Sequence, residues 1–172
     1  EARRRGKLIH ALLEHLPRLE PEARARAAAA FVRARAPAFP EAKRRAIVQA
    51  ALDLLAVPGL APLFARDARA EVSLSGRVAV GGIERPVFGR VDRLAVTADT
   101  VWLADFKTGR PPAEGAPPPG PETAQVALYA RLLGRIYPGH RVRPMLVWTS
   151  GPVIRTLSEA EVADALAGLE LS

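Results

Sequence analysis

Val87-Phe88-Gly89-Arg90-Val91-Asp92-Arg93-Leu94-Ala95-Val96 is followed, after Thr97-Ala98-Asp99, by Thr100-Val101-Trp102-Leu103-Ala104-Asp105-Phe106-Lys107. Both halves suit β-strands, and the three-residue connection is short enough for an antiparallel hairpin. Residues two apart on a strand share a face, so Asp105 and Lys107 project side by side. Asp92, on the preceding strand, falls beside them. Val101, Trp102, Leu103, Ala104 and Phe106 give the second strand an apolar frame, as expected for a central strand. Charged residues placed there need partners or a task.

Two carboxylates a few ångströms apart repel unless a cation lies between them. Hard oxygen ligands suit Mg²⁺ or Mn²⁺. A phosphodiester is cleaved when water is activated, the charge on phosphorus is neutralised and the leaving oxygen is helped. Bound metal ions can do all three. A lysine two residues from a ligand can hold the attacking water or touch phosphate oxygens. Taken alone, Asp-x-Lys at a strand end is commonly a surface ion pair worth at most about 1 kcal/mol.

Upstream, residues 1–67 read as helical. Leu8, Ile9, Leu12, Leu13 and Leu16 recur at helical spacing and Pro17 ends the run. An Ala/Arg-rich helix follows over 21–36. A third, from about Pro40 to Val57, buries Ile47, Val48, Leu52, Leu54 and Leu55 before Pro58-Gly59 breaks it. From Arg69 the period becomes 2. Val72, Leu74, Val78 and Val80 suggest strands, turning at Ser75-Gly76 or Gly81-Gly82. Glu71, at the start of that run, reads equally as a further carboxylate ligand or as a solvated strand end.

Downstream, nine of the thirteen residues from Gly109 to Pro121 are Gly or Pro, which forbids a regular element and predicts a mobile or extended loop. Glu122 to Tyr137 is a helix with Val126, Tyr129, Leu132, Leu133 and Ile136 on one side. Gln125 and Tyr129, four apart, share that face. An amide on an apolar stripe should have a specific hydrogen-bond partner. Strands over Val142–Trp148 and Val153–Leu157 follow, and Ser158-x-x-Glu161 opens a final helix with a capping-box pattern. The whole is one α/β domain: a helical part over 1–67, a sheet core over 69–157 and a C-terminal helix over 158–172.

The chain has 172 residues, enough for one domain with a substantial core. Its net charge is +7 and its sequence pI about 10.9, which favours a polyanionic partner. Arg90, Arg93 and Arg110 flank the proposed site and could draw in phosphates. There are no cysteines, so thiolate zinc sites and cysteine-ligated iron–sulfur clusters are excluded. No apolar run approaches the roughly 20 residues of a membrane span. No Gly-x-x-x-x-Gly-Lys-Ser/Thr loop is present, so ATP hydrolysis is not expected of this piece. It begins Glu1-Ala2-Arg3, which leads us to expect a fragment of a longer chain. His10 reads alone as a structural or solvated histidine; His15 and His140 read as surface residues.

Gly6-x-x-x-His10, Gly89-Arg90-x-Asp92-Arg93, Asp105-Phe106-Lys107-Thr108 and Gln125-x-x-x-Tyr129 occur in the order and rough spacing of the RecB-like nucleases, a branch of the PD-(D/E)XK superfamily. The chain resembles them over about residues 3–157. Arg5-Gly6-x-x-x-His10-x-x-x-x-His15-x-Pro17 and Ile136-Tyr137-Pro138-Gly139 are similar to the C-terminal nuclease domains of the AddA family of helicase–nuclease subunits. The resemblance implies a restriction-endonuclease-like mixed central sheet flanked by helices. His10, Asp92, Asp105 and the carbonyl of Phe106 would bind Mg²⁺, with Mn²⁺ able to substitute and no iron–sulfur cluster. Lys107 would be the catalytic lysine, and Gln125 and Tyr129 would position the catalytic groups or the DNA. The implied partners are single-stranded DNA ends, an AddB-like subunit and the helicase part of the same chain, in bacterial cytoplasm at the nucleoid and without a membrane. The implied role is resection of double-strand breaks in recombinational repair. No Pro-Asp dipeptide precedes the lysine motif, as is usual for RecB-like members. Two other readings stay open: a DNA-binding or docking module with a vestigial site, and a stand-alone RecB-like exonuclease.

Overall fold

The computed structural model describes residues 1–117 and 120–169. Helices α1 (Ala2–His15), α2 (Pro21–Arg35) and α3 (Glu41–Leu55) come first, with 3-10 segments at Leu16–Arg18 and Pro58–Phe64. Strands β1 (Arg69–Val80), β2 (Ile83–Val96) and β3 (Thr100–Lys107) follow as a meander. Helix α4 (Gly120–Ile136) crosses over to β4 (Arg141–Trp148), and β5 (Val153–Thr156) and α5 (Glu159–Gly168) complete the chain. The sheet order is β1-β2-β3-β4-β5, antiparallel except for the β3–β4 pair. The result is a mixed sheet covered by helices on both faces, with β3 at its centre, consistent with a restriction-endonuclease-like fold.

Alternation along β3 builds both layers. Ala104 and Phe106 pack with Leu12, Leu13, Ile47, Leu54 and Leu63 from the N-terminal helices. Val101 and Leu103 pack with Val126, Leu133 and Leu166 from α4 and α5. Burying β3 on both sides is what makes it a near-continuous apolar strand. The capping box opening α5 is formed: Ser158 accepts from the Glu161 amide at 3.1 Å, and Glu161 accepts from the Ser158 amide at 2.8 Å.

Several sequence expectations are revised. The hairpin turns at Gly81-Gly82, both in the positive-φ region that glycine tolerates, and not at Ser75-Gly76. Gly76 lies within β1 because Leu132 of α4 fills the space a side chain would take. Helix α4 starts at Gly120 rather than Glu122, and Ile136 at its end is exposed rather than part of the buried stripe. His140 is half-buried, with its ring edge against Tyr137. Within the proline-rich loop, residues 118 and 119 lie outside the described residues, as do 170–172 of the expected final helix. No single helix among the described residues is long and apolar enough to cross a membrane.

Candidate active site

The site forms where β2 and β3 part. Their ladder runs from Val96↔Val101 to Arg93↔Ala104, and the next register position would set Asp92 against Asp105. There the Asp92 side chain takes over from the backbone: its Oδ2 accepts from the Phe106 amide at 2.6 Å. On the other side of β2, Ala70 pairs with Arg93 and Val72 with Val91, which leaves Glu71 opposite Asp92. Glu71 has φ +53, among the described residues the sole non-glycine in the left-handed region. Three acids on three adjacent strands therefore share one level of the sheet, at a point where both ladders are interrupted. Strain of this kind persists where surrounding structure enforces it, and it concentrates at functional sites.

The strand also turns over at this level. Gly89 and Val91 face α4, whereas Arg93 and Ala95, of the same parity, face the 3-10 segment and the N-terminal helices. Period-2 reasoning carries Arg93 to the wrong side. It does not flank the acids; its guanidinium lies over the Phe64 ring.

Helix α1 brings the fourth group. A Cβ at Gly6 would overlap Thr108, so only glycine lets α1 sit this close to the end of β3. One turn on, His10 Nε2 is 3.1 Å from the Phe106 carbonyl and Nδ1 is 3.5 Å from Asp92 Oδ1. Ligand atoms of His10, Glu71 and Asp92 lie within 4.8 Å of one another. His10 and Glu71 border a cleft of about 460 Å³ that is also lined by Lys7, Phe106 and Lys107. Glu71 is held by Arg90, Nε to Oε2 2.9 Å.

Asp105 is turned toward Lys107, with Nζ 2.6 Å from Oδ2. This is an ion pair without the angles of a hydrogen bond, since Oδ2 is buried and has no hydrogen-bond partner among the described residues. Burial, more than anything else, pushes the Asp105 carboxyl up from its ordinary range; Lys107 opposes the shift and Asp92 adds to it. Burial also acts on His10, in the direction that discourages its proton. The hydrogen bond and charge of Asp92, with the charges of Glu71 and Asp105, outweigh it and hold the His10 pKa above 6.5. The His10 ring lies between Asp92 and the Phe106 carbonyl, and its protonated form is the one Asp92 favours.

These groups fit a divalent cation. They comprise clustered carboxylates, one imidazole and one carbonyl, a donor set of oxygen and nitrogen that suits a hard cation. Of the residues the sequence singled out, His10, Asp92 and Phe106 touch one another, and Asp105 and Lys107 form a pair beside them. Glu71 joins the cluster ahead of Asp105.

Tyr129 is buried, whereas Gln125, four residues earlier on α4, is exposed. Gln125 Nε2 donates to the Tyr129 hydroxyl at 2.9 Å, and that hydroxyl occupies the space a Gly89 side chain would need. Gly89 thus seats α4 on β2 three residues before Asp92. Arg110 is exposed.

A family model described as the PD-(D/E)XK nuclease superfamily matches residues 1–165. No curated protein matches the chain. Among solved structures, the crystal structure of SSO0001 aligns with 95% of this chain and 74% of its own, at 17% sequence identity and a TM-score of 0.38. So distant a likeness bears on neither fold nor function.

Proposed function

The chain belongs to the PD-(D/E)XK nuclease superfamily, and from that premise we propose that it is a Mg²⁺-dependent deoxyribonuclease domain acting on single-stranded DNA ends. The observation that carries the reading is the approach of His10, Glu71 and Asp92 ligand atoms to within 4.8 Å, beside the Asp105–Lys107 pair. In this proposal His10, Glu71, Asp92, Asp105 and the Phe106 carbonyl hold the cation. Bound there, it supplies Lewis-acid neutralisation of the phosphoryl charge and activation of water.

The chain's own residues do the rest. Lys107, drawn to Asp105 and exposed on one side to the cleft, orients the water and meets developing charge on the phosphate. Asp92 has a double task, since it also fixes the Phe106 amide and thereby the direction of the Phe106 carbonyl. Gln125 and Tyr129 act at a distance, by setting α4 against Gly89 and so fixing β2 where Asp92 leaves it. The net charge of +7 favours a polyanionic substrate.

The finer reading is an exonuclease domain of an AddA-type subunit, working with an AddB-like partner and a helicase in recombinational repair. It rests on the sequence similarity of the Gly6–His10 and Ile136–Gly139 segments. The test is digestion of linear and circular single-stranded DNA of equal sequence with Mg²⁺. Loss of linear DNA alone supports action at ends. Equal loss of both refutes it and leaves an endonuclease.

A further inference from the structure

We propose that a second cleft, formed around Arg93 between residues 17–24, which lead into α2, and residues 64–68, which lead into β1, binds a phosphate group of the DNA strand. The DNA part of this inference rests on the nuclease reading.

Arg93 is only 3% exposed. Its Nε has no hydrogen-bond partner among the described residues, and it takes part in none of the ion pairs found among them. Its one directed contact among the described residues is with the Phe64 ring, 5.2 Å from the centroid. A buried charge without an ion-pair partner is costly. Burial first, and Arg18 second, bring its pKa down to about 10, so it remains protonated at neutral pH.

The guanidinium lines a cleft of about 510 Å³ whose other charged walls are Arg18, Arg24, Arg66 and Glu20. Four arginines thus face one glutamate. Glu14 acts on Arg93 from α1, but neither acid is ion-paired with it. Arg24 is oriented by its Nε donating to the Leu19 carbonyl at 3.0 Å. Planar guanidiniums lining one cavity suit the oxygens of a phosphate, which can accept two parallel bonds from a single guanidinium.

The cleft is separate from the cation cluster. Asp92 turns to His10, while the adjacent Arg93 turns to Phe64. Helix α1 and the 3-10 segment after it link the two clefts: His10 borders one, and eight residues on Arg18 borders the other, roughly 12–14 Å away at the two helical rises. A strand held with one phosphate at the acids can therefore lay a nearby phosphate against Arg93.

Two assays in EDTA test this. In thermal unfolding, inorganic phosphate should raise the Tm of wild type above that in chloride at equal ionic strength. It should not do so for Arg93→Met. In fluorescence anisotropy with single-stranded oligonucleotides, the exposed rim variant Arg18→Ser/Arg66→Ser should lose about tenfold in affinity. Its salt dependence should flatten by about 0.7 for each phosphate it no longer neutralises. The control Arg33→Ser/Arg45→Ser removes the same charge from α2 and α3 and should lose far less. Paired 5′-phosphorylated and 5′-hydroxyl oligonucleotides identify the source: equal affinity assigns a backbone phosphate, and preference for the phosphorylated one a terminal phosphate. Equal losses in the two double variants overturn the proposal, as does a phosphate effect that survives in Arg93→Met. Metal-dependent cleavage measured in parallel separates the failures. Absent cleavage with intact phosphate-dependent stabilisation refutes the nuclease reading alone, whereas cleavage without that stabilisation refutes this site alone.

Discussion

Gly89→Ala is a one-methyl change that should damage the protein through Tyr129. Gly89 adopts ordinary strand backbone rather than a positive φ, so alanine meets no conformational penalty there. By itself the change would favour the strand by roughly 0.5–1 kcal/mol, through lost freedom of the unfolded chain. Against this, the new Cβ would overlap the Tyr129 hydroxyl, with ring Cζ at 2.6 Å and Cε1 at 2.8 Å. Tyr129 is buried and its hydroxyl accepts from Gln125, so it has little room to retreat. Overpacking of this kind costs about 1–3 kcal/mol. The expected net effect is destabilisation of about 1–2 kcal/mol, or about 2–8 °C in Tm for a chain of this length. Tyr129→Phe removes the nearest atom but not the ring carbons. Alone it costs about 1 kcal/mol for the missing hydrogen bond. In the Gly89→Ala background it should cost much less, or gain. Urea denaturation of the four proteins of this cycle gives the coupling energy. If the two changes add to within about 0.5 kcal/mol, the Tyr129 hydroxyl does not hold α4 against β2 and the reasoning fails.

Asp92→Ala strands the Phe106 amide and should lower stability in EDTA by about 2 kcal/mol, visible by calorimetry as a lower Tm; an unchanged Tm would show that Asp92 has no structural share. Glu71→Gln should weaken Mn²⁺ binding by about tenfold or more in titration calorimetry while leaving the circular dichroism spectrum intact, and unchanged affinity would remove Glu71 from the cation site. For His10 the sign runs one way. Its folded pKa is raised, so its contribution to metal-free stability is full below pH 6.5 and is lost as pH rises through the folded value. A cation needs the neutral ring, so Mn²⁺ affinity should climb with pH by up to about tenfold per unit until His10 is deprotonated, with proton release detectable in buffers of different ionisation enthalpy. His10→Asn should bind more weakly and lose that step; a pH profile identical to wild type would contradict the arrangement.

The hairpin and its acids are legible in the sequence because β3 is periodic, apolar and closed by a short turn. The placement of Asp92, Asp105 and Lys107 follows from strand geometry alone. His10 reaches the site only through the family resemblance, since one histidine on a helix has no periodic signal; the structure adds the reason, which is that Gly6 lets α1 meet Thr108. Glu71 reads evenly between a ligand and a solvated strand end. Its role depends on a backbone twist that no local residue type announces, because a glutamate at φ +53 is held there by tertiary structure. At the same level β2 turns over and reverses the side to which Arg93 points, which alternation cannot foresee. Ile136 shows a simpler limit: an apolar residue in the last turn of a helix shares the stripe but outlasts the layer it would pack against.

The most direct measurement is cleavage of end-labelled single-stranded DNA in Mg²⁺, in Mn²⁺ and in EDTA, with wild type beside Asp105→Ala and Lys107→Met. The account predicts cutting by wild type in either metal and none in EDTA. Both variants should lose it by at least about a hundredfold while keeping a wild-type melting transition within a few degrees. Undiminished metal-dependent cutting by Asp105→Ala would contradict the account, because the chemistry would then lie away from the level of the sheet where Glu71, Asp92 and Asp105 meet.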